Sequence, residues 1–148
     1  MQSIAEVIIK NTSNANERQD FWEKAELNLL MALMHYVATQ TIPGTTELLP
    51  IQQRSLGAIY RMLSNESFAD LERRFEALPK GHPALAPYGI FKLANRQIWG
   101  NIAIGLGNRL SVFQNPLVDK ITSYNEFDLT LPGQKPCAYF CCISAQDS

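Results

Sequence analysis

Charged side chains are scarce in this sequence. Lys, Arg, Asp and Glu make up 18% of it, below the usual quarter, and the formal net charge is −1. No global basic signature announces nucleic acid. Cysteine is nearly missing: the three, Cys137, Cys141 and Cys142, crowd near the C-terminus. An odd number of clustered thiols argues against a disulfide scaffold and fits a reducing cytoplasm. Long apolar runs are lacking too. The longest, within 20–40, is too short and too interrupted to span a bilayer. The opening MQSIAEVIIKN has neither a basic n-region nor a long apolar h-region, so no leader is visible and a cytoplasmic location is expected. Catalytic signatures are also missing. There is no G-x-x-x-x-G-K-[ST] run, no H-E-x-x-H, no EF-hand loop, and no G-x-S-x-G around Ser55, Ser64 or Ser111.

What is present is apolar material, 46% of 148 residues, enough for one core in one domain. The organising stretch is DFWEKAELNLLMALMHYVATQ, Asp20 to Gln40. It predicts one long helix, with Asp20 as N-cap and Glu23 as the return half of a capping box. At about 100° per residue, Phe21, Trp22, Ala25, Leu29, Ala32, Leu33, Tyr36 and Val37 share a broad face. Met31, Met34 and Ala38 cover much of the other side. Only Lys24, Asn28 and His35 form a polar strip, so the helix is expected to be surrounded by others. Its length would be about 30 Å.

Around that rod the pattern predicts further helices. Residues 2–10 carry Ile4, Val7 and Ile8 at helical spacing. After a polar loop, the long helix and a connector with Pro43-Gly44, Pro50 suits the first turn of a third helix, with Ile51, Leu56, Ile59, Tyr60 and Leu63 inward. Ser67 and Asp70 cap a fourth, Phe68 to Leu78, with Leu71 and Phe75 inward. A fifth spans Pro83 to Ala94. Asn95 caps a sixth, Arg96 to Phe113, on which Gly100, Ala103 and Gly107 form a small-residue face suited to close approach by another backbone. Pro116 to Ile121 makes a last short turn. The character then changes. Glu126 to Leu131 alternates, Pro132-Gly133 signals a turn, and Cys137 to Ile143 reads as a fully buried strand. The fold class is therefore mainly α: a bundle of about six helices with a short C-terminal β strand or hairpin.

Few residues offer chemistry. NIAIGLGNRL resembles a strand entering G-x-G, but Leu110 stands where a dinucleotide site needs its third glycine. On a strand, Cys137 and Cys141 would lie roughly 13 Å apart, with Cys142 on the other side, so they read as core thiols and not as metal ligands. His35 has no carboxylate or nucleophile at helical spacing, and His82 reads as a loop or cap residue. One feature has functional content: from Ala77 to Val118 there is no acidic residue, while Lys80, Lys92, Arg96 and Arg109 lie inside. Lys80, Lys92 and Arg96 can meet phosphates or an acidic protein surface, or form an ordinary solvated face.

Two blocks carry a family resemblance. FWEKAELNLLMALMHYV at 21–37 resembles the opening of the all-alpha domain of type IV secretion coupling proteins, the TraG/TraD-type conjugation ATPases. So does LERRFEALPKGHPALAPYGIFKLANRQIWGNIAIGLGNRLSVF at 71–113. The ending NEFDLTLPGQKPCAYFCCISAQDS is similar to the place where such proteins leave the helical insertion and re-enter the ATPase sheet. The flavour is that of conjugative elements of Gram-positive bacteria.

The resemblance implies that residues 1–148 are a single all-alpha domain excised from a larger ATPase, with 126–144 rejoining the motor. The parent would be a membrane-anchored hexamer at the cytoplasmic face, using ATP and Mg for DNA transfer. This piece would be non-enzymatic and without cofactor, would dock a relaxase, another relaxosome protein or single-stranded DNA, and in isolation would be a monomer or weak dimer. The alternative is a freestanding helical regulatory module.

Overall fold

Helix α2, Asp20–Ala38, runs through the middle of the molecule and is flanked on several sides. The computed structural model describes residues 1–11, 20–124, 134–136, 138 and 140. Among them the other α-helices are α1 (Gln2–Asn11), α3 (Leu56–Asn65), α4 (Phe68–Glu76), α5 (Leu85–Lys92), α6 (Trp99–Arg109) and α7 (Pro116–Thr122). 3-10 turns lie at Ile51–Gln53, Arg96–Ile98 and Ser111–Gln114. The protein is mainly α, as the pattern predicts. The strand or hairpin expected over 126–144 falls almost wholly outside the described residues, as do Cys137, Cys141 and Cys142. No described helix is long and apolar enough to cross a membrane.

The α2 core is the one its periodicity predicts from Ala25 onward. Ala25, Leu29, Ala32, Leu33, Tyr36 and Val37 are buried, and so are Leu30 and Met34 on the flanks. α5 packs most extensively on this helix, with α1, α6 and α3 around it. The ends differ from expectation. Phe21 and Trp22 are exposed and touch each other edge to face, ring centroids 5.7 Å apart. Glu6, Ile9 and Lys10 of α1 line one groove with Glu23, Lys24 and Leu27 of α2, so α1 ends about level with Glu23. On α1 the buried residues are Ala5 and Ile9, while Ile4 and Val7 face out. Ala5 is small enough to let the two helices approach, which selects that stripe over the bulkier one.

Three further expectations are corrected. Pro50 opens a 3-10 turn and not α3, and Ile51 is exposed. α3 starts later, where Ser55 supplies a better cap: its Oγ accepts from the Ala58 N–H at 3.2 Å and donates to the Gln52 carbonyl at 3.1 Å. The span 96–113 is not one helix but a 3-10 turn, α6 and another 3-10 turn, which share an inward row of Trp99, Ile102, Leu106 and Leu110. The small-residue face is misplaced. A Cβ on Gly100 or Gly107 would meet nothing, and Ala103 and Gly107 line a shallow groove against Tyr60 and Leu63. On α6 it is Gly105 that sits against a neighbour, where a Cβ would push on the Glu26 carboxylate.

Glu26 is buried in α2 and bonded to Arg109 of α6, Nε to Oε2 at 2.6 Å. Arg109 also donates to the Ile9 carbonyl at 2.9 Å, satisfying one of the orphan carbonyls at the end of α1. One guanidinium thus joins three helices. α7 is attached differently. It has no buried residue; Asp119 presses on Gly57 and pairs with Arg61 at 2.6 Å.

α4 begins as its S-x-x-D sequence predicts. Ser67 Oγ accepts from the Asp70 N–H at 3.2 Å, and Asp70 Oδ2 accepts from the Ser67 N–H at 3.2 Å. The Ser67 hydroxyl also donates to Asp70 Oδ2 at 2.6 Å, and this bond first, then the Ser67 N–H, aided by Arg73 and Arg74, holds the Asp70 pKa below its ordinary value. Replacing Ser67 with alanine is expected to lower stability by about 1 kcal/mol, read as a shift in the urea midpoint with an unchanged slope.

Candidate functional site

Lys80 lies on the turn that joins α4 to α5, Lys92 ends α5, and Arg96 opens the 3-10 turn that leads from α5 into α6. Between the helices, the His82 N–H donates to the Pro79 carbonyl at 3.1 Å, and Gly81 takes a positive φ of 88°. Lys80 is exposed at this tip. α5 has no side-chain cap, and His82 is a residue of the loop before it. Its Nδ1 accepts from the Ala84 N–H at 3.2 Å, which leaves Nε2 to donate to Thr39 Oγ1 at 2.8 Å. The tip is thereby fastened to the C-terminal end of α2. His35, half-buried nearby, has its pKa lowered by burial first, then by the positive chain N-terminus and by His82.

α5 tolerates Pro87 because it falls in the first turn, where a backbone N–H has no helical partner. Tyr88 and Phe91 then face the core. Tyr88 stacks on Phe75 at 4.1 Å, nearly parallel, and Phe91 meets Phe68 and Trp99 at 5.8 and 5.4 Å. The chain leaves α5 through Asn95, whose Oδ1 accepts from the Gln97 N–H at 3.0 Å. Trp99 donates its indole N–H to the Ala94 carbonyl at 2.9 Å. This aromatic floor fixes the side chains above it.

Lys92 and Arg96 stand on that floor, Lys92 over the Tyr88 ring at 5.5 Å and Arg96 over the Trp99 ring at 5.3 Å. Both reach one carboxylate. Arg96 Nη2 is 2.8 Å from Glu72 Oε2, and Lys92 Nζ is 3.7 Å from Glu72 Oε1. The Tyr88 hydroxyl is buried, with no hydrogen-bond partner among the described residues. Burial, then the charges of Glu72 and Glu76, push its pKa up to about 12, against a smaller pull from Arg96. The structure thus brings Lys92 and Arg96 together and leaves Lys80 apart, beyond the other end of α5, roughly 10 Å along the helix axis. Arg109 is inside, with Glu26.

Comparison with known proteins decides the setting of this site. A family model described as type IV secretory system conjugative DNA transfer matches residues 1–148. The chain belongs to that family. No curated protein and no solved structure matches it. As a conjugative DNA transfer protein, it takes part in DNA movement by a type IV secretory system.

In this conjugative transfer protein the residue that sequence reasoning misses is Glu72. The stretch from Ala77 to Val118 lacks acids in sequence but not in space, because α4 lies alongside and lends one. A signal existed. With Leu71 and Phe75 inward on α4, Glu72 falls one step round the helix, at the rim of the same face. Its side chain is 14% exposed, against 38% for Lys92 and 71% for Arg96. The pairs are solvent-screened, so their contribution to stability is small. Their importance is the placing of charge.

Proposed function

We propose that this chain is the substrate-docking all-alpha domain of a conjugative coupling ATPase and carries out no catalysis itself. The observation that carries this reading is the match of the whole chain to a conjugative DNA transfer family, on a chain that is helical throughout its described elements. The sequence also contains no G-x-x-x-x-G-K-[ST] loop to cradle ATP phosphates. In this reading ATP and Mg belong to a motor elsewhere in a membrane-anchored, hexameric parent. The helical unit sits on the cytoplasmic side and receives the DNA or its relaxosome protein.

The test is made in the intact coupling protein. Deleting residues 21–113 and joining the ends with a flexible linker should abolish conjugative transfer while ATP hydrolysis by the motor persists. Unchanged transfer would refute the docking role. A finer version neutralises Lys80, Lys92 and Arg96 to glutamine together. If these cations meet phosphates, oligonucleotide binding at low salt should fall by about tenfold or more, and the salt slope should shrink by about one for each lost contact. Undiminished binding in the triple variant would remove these side chains from the interface.

A further inference from the structure

Lys92 and Arg96 do not form two separate ion pairs. They converge on one carboxylate, each taking a different oxygen, at 3.7 and 2.8 Å. Two cations aimed at two oxygens of one group is also how a phosphate is held, with Arg supplying directional donors and Lys a point charge. Glu72 is not their sole support, since each cation also rests on an aromatic ring, Tyr88 or Trp99. The chain is pinned on both sides of them by the buried Phe91 and by the Asn95 cap. If Glu72 swings away, two preorganised positive groups remain. The Tyr88 hydroxyl is buried without a described partner and keeps its proton at neutral pH.

We propose that Glu72 is a built-in competitor, occupying a position on the α4–α5 face at which Lys92 and Arg96 bind a backbone phosphate of DNA. This rests on the docking reading above and adds its regulation: the site is self-neutralised until a phosphodiester displaces the carboxylate. Trp99 and Tyr88 are buried and offer no platform for a base, so recognition runs through the backbone and is independent of sequence. A single exchangeable contact of this kind suits a strand that has to be held and then let go.

The experiment measures binding of fluorescent oligo-deoxythymidine and of a duplex of equal length, by anisotropy at low salt. The proteins are the full chain, Glu72→Gln, Glu76→Gln, and Glu72→Gln combined with Lys92→Gln and Arg96→Gln. Glu76→Gln is the charge-matched control, since Glu76 lies near Tyr88 but makes no ion pair with Lys92 or Arg96. Glu72→Gln should tighten binding by about fivefold, with a steeper salt slope. Glu76→Gln should change it by less than about twofold, and the triple combination should return it to wild-type level or below. A gain confined to the single strand assigns the site to the transferred strand, and an equal gain on the duplex assigns it to any DNA backbone. Either result supports the proposal.

No gain in Glu72→Gln, an equal gain in Glu76→Gln, or a gain that survives loss of both cations would each overturn it. Glu72→Ala serves as a second variant, and circular dichroism melts check that all variants are folded. The same proteins are passed over immobilised relaxase. Relaxase capture with no oligonucleotide gain leaves the docking reading standing and this inference refuted; loss of both readouts in folded protein removes the two together.

Discussion

Replacing Arg109 with glutamine is expected to lower the folding free energy by about 3–5 kcal/mol at neutral pH, the largest single effect foreseen in this chain. The cause is what stays behind. Glu26 is about as buried as the guanidinium that answers it, with side chains 7% and 12% exposed. Without Arg109 the carboxylate is uncompensated, and the Ile9 carbonyl at the end of α1 loses the bond from the guanidinium. The pH dependence has a definite sign. Burial raises the Glu26 pKa above its ordinary 4.5, Arg109 pulls it back by hydrogen bond and charge, and Glu23 pushes it up again. A carboxyl with a raised native pKa favours folding below the unfolded value, and that contribution is lost as pH rises through the native one. Removing Arg109 removes the downward pull, so the native value climbs further. The deficit of the variant should therefore be greatest near neutrality and shrink as pH falls toward 4.5. Urea unfolding at several pH values measures it. A deficit independent of pH would mean that lost packing, and not a stranded charge, explains the loss. Adding Glu26→Gln to the variant should recover part of the stability at neutral pH.

The second large effect is Phe75→Ala, expected at about 3–5 kcal/mol. Phe75 is 2% exposed and sits between Tyr88 of α5 and Tyr36 of α2, with centroid distances of 4.1 and 5.6 Å. It is a side chain through which α4 touches both other helices at once. Its removal leaves a cavity that stacked rings cannot easily close. In a chain of this size each kcal/mol lowers the thermal midpoint by about 2–4 °C. Phe75→Leu keeps most of the volume and should cost about half as much or less. A loss below about 1 kcal/mol for alanine would show that the site collapses freely and that α4 is held by other contacts. Because Tyr88 supports Lys92, the alanine variant should also loosen the Glu72 cluster, visible as faster amide exchange at the end of α5.

Much of this was legible from short-range rules. The core of α2 from Ala25 onward follows directly from its 3.6-residue period, and the α4 start follows from Ser67 and Asp70, whose bonds span three residues. The misses have a common origin. They depend on what lies across the gap. α1 offers Ile4, Ala5, Val7, Ile8 and Ile9, so more than one stripe satisfies the helical period, and the approach of α2 chooses Ala5 and Ile9. The segment 96–113 keeps an inward row through two 3-10 turns, and periodicity alone does not reveal the change in winding. Glu26 falls at helical spacing from Trp22, Leu30 and Leu33, yet a lone acid on an apolar face announces a buried pair only once its partner is known. That partner is 83 positions away. The candidate site shows the same limit. Lys92 and Arg96 were visible as cations in an acid-free stretch, but the carboxylate between them belongs to another helix.

Gly105 carries a consequence for how descendants of this chain can diverge. A Cβ at that position meets the Glu26 carboxylate, so an alanine forces that carboxylate to shift away from Arg109 unless the acid has already gone. The acid is in turn lost at least cost together with Arg109, since its loss alone leaves a buried guanidinium without its carboxylate, held by the Ile9 carbonyl. Positions 26, 105 and 109 should therefore drift as a linked set across relatives, with the pair exchanged first and the glycine released afterwards.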